Sequence, residues 1–375
     1  MITAWPTGLR EIDLLPPEYQ PAGFYPGGNL EVGESGVNRF IPRLRHGEQD
    51  GKFSSHLVNY RLQERRLLFA ITVEQLLEFE SPNPLIRILR CMVAELLRMT
   101  GHLNCLALAA HGVGAFRVAS EIGRDARLIH GCLHELSTTP HGQNYIVPGG
   151  FKGEIKSAFF ESTDEILTIL KNRLNYYEKN LINDSFFMAR TRNEGKIDIE
   201  TALDWGVTGP TLRASGVRRD LRKDTPYNAY KEIKFRIPIG KRGDIHDRFR
   251  VRFLELKQSI NILGQITRVV SGRDYSAADL LTLAPEEYKI KLQPHLFGRR
   301  MILVGGKYDT SNEEVYFSIE SASGELGCYA RVLRENLVEA QLREPGFVNF
   351  QSLRRFAQRV RPEDLAVMAA SLGLF

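Results

Sequence analysis

The chain has 375 residues, of which 43% are hydrophobic and 25% charged, with a formal net charge of +5 and a pI of about 8.9. Those values suit a globular protein of one or two domains with a large core. No stretch approaches the roughly 18 consecutive apolar residues of a membrane-spanning helix. Bases and acids are interspersed, which argues against nucleic acid as a partner. Cys91, Cys105, Cys132 and Cys328 form no CxxC pair and have no histidine cluster beside them. That points to a reducing compartment with small buried thiols, and away from zinc or iron–sulfur ligation by this chain. The N-terminal segment lacks the apolar core of a secretory signal and is too acidic and Pro-rich for a typical transit peptide.

In chain order, residues 1–40 are rich in Pro and Gly and read as loops and short strands. Asn29–Val32 and Val37–Ile41 are expected to form a small sheet or hairpin. Phe53–Phe79 reads as a helix whose apolar face carries Leu57, Leu62, Leu67, Leu68, Ile71, Leu76 and Leu77. After the Ser81–Pro84 loop comes the most apolar segment, Leu85–His111. It has apolar residues on most sides and is expected to be a central buried helix. Glu95, Arg98 and His102 share one face of it, the pattern of an internal ion pair. Phe116–Leu136 continues helical, and Pro148-Gly149-Gly150 suits a tight turn. Asp164–Leu181 reads as an amphipathic helix, with Ser162 and Glu165 spaced as a capping box. Pro362–Leu372 is a terminal helix with Glu363 and Asp364 suited to its N-terminal dipole.

The most informative stretch is Thr201–Ser259. Gly206–Ser215 holds several glycines and a proline and is expected to be loop. Gly216–Lys223 packs alternating charges around one glycine. Charges of both signs between glycine-bounded turns suit a buried polar network, in which every member must be satisfied. Gly243–Arg252 leads into a helix with Phe249, Phe253, Leu256 and Ile260 at i, i+4, i+7 and i+11.

Three motifs in this stretch carry a family resemblance. Gly206–Lys223 follows G-x-[ST]-G-P-x-L-R-[AG]-S-G-[VI]-x-x-D-L-R-K, Pro226–Tyr230 follows P-Y-x-x-Y, and Pro238–Arg252 follows P-[VI]-G-x-x-G-D-x-x-D-R-[FY]-x-V-R. The chain thereby resembles the large 49 kDa (D-type) component of proton-pumping NADH:quinone oxidoreductase, or complex I, a relative of nickel–iron hydrogenase large subunits. The resemblance implies an α+β fold. Long buried helices form its core, with a small β and loop region over residues 1–50 and short C-terminal strands in a helical domain over residues 51–375. An active hydrogenase would need two CxxC pairs, which this sequence lacks.

The resemblance also implies a role. The family member carries no redox centre of its own. It walls a cavity in which quinone, the substrate, is reduced beside a [4Fe–4S] cluster held by a neighbouring small subunit. Expected partners are that subunit, the 30 kDa-type subunit and the membrane arm, with no nucleic acid. The expected place is the matrix side of the mitochondrial inner membrane or, alternatively, the cytoplasmic side of a bacterial one. Arg45 in Pro42–Glu48 takes the place of the arginine beside the cluster. Arg98 and His102 match E-[IL]-x-R-x-x-x-H, near cluster and cavity, and His111 lies close to the next motif. For the tyrosine that hydrogen-bonds quinone, counting forward from Arg45 reaches Leu68, and counting back from Val73–Leu77 comes within one position of Tyr60, the preferred candidate. A neutral phenol is a good donor to a quinone oxygen. The motif residues Arg213, Asp220, Arg222, Lys223, Asp244, Asp247 and Arg248 are expected to be structural, and no metal ligands are assigned.

Several family positions differ. The His-Pro-x-x-His-Gly loop is missing. Gly112 stands where the family's D-[LIV]-G-A has Asp, Val147 stands for the Arg of Y-[IF]-R-P-G-G, and the family's acidic tail is absent beyond Phe375. These changes raise an alternative: a catalytically silent structural or assembly paralogue.

Overall fold

A 29-residue helix made almost wholly of buried residues forms the centre of the molecule, which is known here from a computed structural model. The structure describes residues 8–13, 27–33, 36–43, 55–78, 82–136, 145–280, 300–303, 314–334, 337–356, 361 and 364–374. The central helix, α2 (Pro84–Gly112), begins where Asn83 Oδ1 accepts the Ile86 N–H at 2.9 Å and Pro84 sits in the first turn, where its missing N–H costs nothing. From Leu89 to Ala110 every residue is buried, so neighbours cover this helix on all sides, as its apolar residues on most sides require. Its ends lie within one residue of the expected Leu85–His111.

Those neighbours are α1 (Ser55–Leu76), α3 (Phe116–Glu135), α9 (Ile245–Val270) and α12 (Leu365–Leu372). On α1, Leu67, Leu68, Ile71 and Leu76 are buried as expected, and so is Leu77 just beyond it. The side chains of Leu57 and Leu62 lie outside the described residues. An ion pair joins the two helices internally: Arg90 donates to Glu74 through Nη1 at 2.9 Å and Nη2 at 2.6 Å. Glu74 also accepts the Gly149 N–H at 2.6 Å, and Arg90 donates to the Val147 carbonyl at 2.9 Å. The hairpin of β4 (Ile146–Val147) and β5 (Gly150–Phe151), with its expected tight turn, is thus pinned to the helical core.

Helix α4 (Ser157–Tyr177) starts earlier than the expected Asp164 and ends in a π-helical turn, Glu178–Ile182. The expected capping box is therefore a misreading. Ser162 is inside the helix, and its hydroxyl donates to Glu135 at 2.9 Å. Short helices follow: α5 (Ser185–Thr191), α6 (Ile199–Asp204), α7 (Gly209–Ala214) and α8 (Leu221–Asp224), with α10 (Ala277–Leu280) after α9. Helix α7 overturns the expectation of loop throughout Gly206–Ser215. Pro210 occupies its first turn, where proline is favoured, and the glycine before it accepts a left-handed φ of 65°.

Near the N-terminus β1 (Gly8–Asp13), β2 (Gly27–Gly33) and β3 (Gly36–Arg43) form an antiparallel sheet in that order. The β2–β3 pairing is the expected hairpin; β1 was not anticipated. The C-terminal sheet is antiparallel too. It contains β6 (Arg300–Leu303), β7 (Glu314–Ser321), β8 (Gly324–Arg334) and β9 (Leu337–Arg343), in the order β6-β9-β8-β7. Helix α11 (Pro345–Phe356) and α12 close the chain. Pro362 and Glu363 lie outside the described residues. Asp364, just before α12, pairs with Arg190 and with Arg361 and makes no side-chain cap on the helix.

Helix α12 crosses the end of α2 very closely. A Cβ on Gly112 would stand 2.6 Å from Val367 Cγ2, well inside contact distance. We expect Gly112→Asp to force the helices apart and cost about 1–3 kcal/mol, with Val367→Ala in the same chain recovering most of the loss. Urea unfolding midpoints of the single and double variants check this.

Candidate functional site

Five elements meet in a buried cluster of charge. Helix α2 supplies Glu95, Arg98 and His102, the start of α8 supplies Asp220 and Arg222, α9 supplies Glu255 and Ser259, and β7 supplies Glu320. Arg213 enters from α7. All are buried, most of them completely.

Glu255 lies at the junction. Its Oε1 accepts from Arg213 Nε at 2.7 Å and its Oε2 from Arg98 Nη2 at 2.7 Å. Arg98 also donates to the backbone carbonyls of Ser321 at 2.7 Å and Glu320 at 3.1 Å. Arg213 Nη1 donates to Glu320 Oε1 at 2.8 Å and to the Arg219 carbonyl at 2.7 Å. Glu95 forms a second centre. Its Oε1 accepts from Arg222 Nη1 at 2.9 Å and from the Tyr230 hydroxyl at 2.7 Å, and its Oε2 accepts from Ser259 at 2.6 Å. Asp220 grips Arg222 with both oxygens, at 2.7 and 3.0 Å, while the Phe235 ring covers the guanidinium 4.7 Å away.

Three guanidiniums thus face four carboxyl groups. Burial opposes ionisation of Glu255, yet Arg213 and Arg98 hold its carboxyl well below the usual range. Glu95 is held low against the same penalty by Arg222 and Arg98, and Asp220 is lowered to about 2, chiefly by Arg222 and Arg213. Glu320 goes the other way: burial pushes it up, and Arg213 offsets that only in part.

His102 is fully buried, with Nε2 at 3.2 Å from Glu255 Oε2. The alignment fails for a hydrogen bond, so neither ring nitrogen has a hydrogen-bond partner. Burial lowers its pKa to about 4, with Glu255 pulling the other way. Arg98 and His102 therefore stand together, as expected, but face inward: every donor that Arg98 uses is spent on its own chain. His111, in the last turn of α2, is half-buried, with its ring edge-on to Phe116 at 5.1 Å. Phe116 is 63% exposed. Arg45 lies outside the described residues. Tyr60 lies in α1, but its side chain is outside them as well. Leu68, the other position considered for the quinone tyrosine, is completely buried in the chain's own core.

The second group of motif residues organises backbone. Asp244 caps α9, accepting the Asp247 N–H at 2.7 Å, and its other oxygen accepts the Asn193 N–H at 2.9 Å. Asp247 accepts the N–H groups of Lys241 at 2.8 Å and Arg242 at 2.7 Å. Arg248 donates to Ser371 Oγ and to the carbonyls of Gly195 and Gly243, each at 2.9 Å. Asp244, His246 and Asp247 converge closely; both Asp244 oxygens and Asp247 Oδ2 serve these bonds, and His246 Nε2 lies 2.9 Å from the Ile182 carbonyl. Lys223 is exposed, with its ammonium 4.1 Å from the Phe235 ring centroid. Glu255 and Glu320 were not singled out from the sequence. A signal existed for the first: Arg248, Arg252, Glu255 and Ser259 repeat at helical spacing, a polar stripe beside the apolar one. Glu320 had none, since it joins only through the sheet.

Burial pushes the Cys91 thiol up, and that of Cys132 up to about 12, so both keep their protons in these apolar surroundings.

Two expected outcomes follow from the charge geometry. Arg222→Met leaves Asp220 and Glu95 buried without their cation and should cost about 3–5 kcal/mol, read from denaturant unfolding. Stability should also fall as pH drops. His102, lowered from its ordinary value, begins the loss below about pH 6.5 and completes it near its folded pKa of about 4. Asp220 and the two low glutamates add a further loss below about pH 4, which for Asp220 runs down to about 2. The raised Glu320 works in the opposite direction. Thermal midpoints against pH for wild type and His102→Gln check the first limb, which the variant should lack.

A family model described as the respiratory-chain NADH dehydrogenase 49 kDa subunit matches residues 113–375, well over half the chain. A protein from Chloroflexus aurantiacus, named as a second D-type subunit of NADH-quinone oxidoreductase, is 32% identical over 312 residues, covering 82% of this chain and 75% of its own length. The D-type subunits of NADH-quinone oxidoreductase from Geobacter metallireducens and Rickettsia akari are 30% and 29% identical, each across 82% of this chain and 78% of their own. The Gly206–Lys223 and Pro238–Arg252 motifs, which supply Arg213, Asp220 and Arg222 to the cluster and Asp244 to the α9 cap, lie inside the matched region, and the chain belongs to the family of the 49 kDa subunit of respiratory-chain NADH dehydrogenase.

Proposed function

We propose that this chain acts as the subunit of an NADH–quinone oxidoreductase that walls the quinone-reduction cavity beside an iron–sulfur cluster held by a neighbouring small subunit. The observation that carries the reading is the convergence of Arg98 and His102 on Glu255, a residue inside the family-matched region. The neighbour's cluster supplies electrons, and this chain supplies shape, charge and protons. Arg98 contributes a fixed positive charge, since Glu255 keeps it oriented. His102, neutral in this buried setting and 3.2 Å from Glu255 Oε2, is the proposed group to gain a proton when negative charge develops beside the cavity. Tyr60 is the proposed phenol donor to the quinone oxygen, Arg45 the proposed cation beside the cluster, and His111 the group nearest the altered Gly112 motif. Companions would be the cluster-bearing subunit, the 30 kDa-type subunit and the membrane arm. Among the described residues no helix is long and apolar enough to cross a membrane, which supports a peripheral place on a membrane-bound assembly.

One observation favours a second reading, a silent structural paralogue. The place where the family carries Asp is occupied by Gly112, and Val367 closes the space above it. Quinone reductase activity of the assembled complex separates the two. Tyr60→Phe should lower turnover roughly tenfold, the worth of one hydrogen bond made in the transition state. Unchanged turnover removes Tyr60 from the site, and an assembled complex with no quinone reductase activity at all selects the structural paralogue.

A further inference from the structure

The ordered loops around the buried cluster turn a strongly basic face outward. Between Arg218 and Arg242, eight Lys and Arg residues are exposed against two exposed acids, Asp224 and Glu232. The segment folds back on itself, so these bases share a surface. Gly216 lies beside Gly240, Gly240 N–H donates to the Arg213 carbonyl at 2.8 Å, and Lys223 Nζ donates to the Ile233 carbonyl at 3.2 Å. The backbone of this ribbon is held from behind. Asp247 takes the Lys241 and Arg242 N–H groups, Gln265 takes that of Lys234, and Gln258 takes that of Arg236. Apolar side chains lie at one edge: Ile199 is 51% and Ile239 44% exposed, and Ile199 reaches toward Gly216.

We propose that this ribbon is a docking surface for an acidic protein subunit, one that sets Asp and Glu side chains against the bases around a small apolar contact. The proposal rests on the reading that the chain works inside a multi-subunit assembly. A surplus of six positive charges on a preorganised backbone repels copies of itself and attracts carboxylates, and steering of this kind acts mainly on association. An apolar patch rimmed by arginine and lysine has the anatomy of a protein interface. Nucleic acid is disfavoured because no aromatic ring of the ribbon is free to stack on bases: Tyr227 and Tyr230 are buried, and Lys223 and Arg222 cover Phe235. A lipid surface is disfavoured because the ribbon is not an amphipathic helix.

The test uses the full chain, tagged and expressed in its native host, with the complex recovered from membranes. Zero-length carbodiimide coupling, which joins an amine to a carboxylate, should link Lys234 or Lys241 to Asp or Glu of one identified companion subunit. Arg218→Glu, Lys241→Glu and Arg242→Glu together should reduce recovery of that companion by about tenfold at low salt. Wild-type recovery should fall as salt rises, because exposed pairs are screened beyond a Debye length of about 10 Å at 0.1 M. If the charge-reversed chain loses its thermal transition, the Gln versions of the three residues read the same quantity. Equal recovery from variant and wild type, or no lysine–carboxylate link to a companion, overturns the proposal while leaving the functional reading intact. A wild-type chain that brings no respiratory companion overturns the functional reading itself, and the proposed occupant with it. Binding of the wild type but not the variant to phosphatidylserine vesicles, with companion recovery unchanged, assigns the ribbon to lipid and also overturns the proposal.

Discussion

A carboxylate with no access to water has to be surrounded by cations or lose its charge, and this requirement governs the centre of the molecule. Glu255 satisfies it with Arg98 from the same buried layer and Arg213 from a short helix that precedes it in sequence by about forty residues. Each of those arginines then needs further acceptors and finds them on β7, in the carboxyl of Glu320 and the carbonyls of Glu320 and Ser321. The positions of α2, α7, α9 and the C-terminal sheet are thus fixed relative to one another by one chain of charge pairs. Such pairs add little net stability over well-packed apolar side chains, but removing one partner is expensive. Their effect is to specify one arrangement of helices that apolar packing alone would leave loosely defined.

The long helices were legible in the sequence because their periodicity is strong. Helix α2 is the clearest case, since apolar residues on most sides can be stable only in the interior. The charges of Gly216–Lys223 were read correctly only in part: Asp220 and Arg222 enter the buried network, while Arg218, Arg219 and Lys223 are exposed. The failures have physical causes. Gly209–Ala214 contains two residues that usually break helices, but Pro210 sits at the one helical position that favours it. Ser162 and Glu165 have the spacing of a capping box, but the helix already runs through them, and spacing alone does not locate a helix start.

The candidate site was only partly legible. Arg98 and His102 were placed together by their four-residue separation on one helix face, and the structure keeps them together. What their neighbours would be was hidden. Glu255 lies on another helix and Glu320 on a strand, and no local pattern connects a strand carboxylate to a helix arginine more than a hundred residues away. The changes at Gly112 and Val147 also read differently in three dimensions. Gly112 is a point of close helix contact with Val367, so its small size has a packing reason. Val147 presents its carbonyl to Arg90, a bond that any residue there would make through its backbone.

Helix α12 carries a consequence for how the molecule comes into being. Arg248 and Arg252, buried on α9, direct their donors at Ser371 and at the carbonyl of Ala322. Until Ala322 and Ser371 have been synthesised, Arg252 lacks its acceptors, Arg248 lacks one of its three, and Arg213 lacks Glu320. A nascent chain must therefore hold the polar side of α9 open to water and close it late, when the C-terminal sheet and α12 arrive.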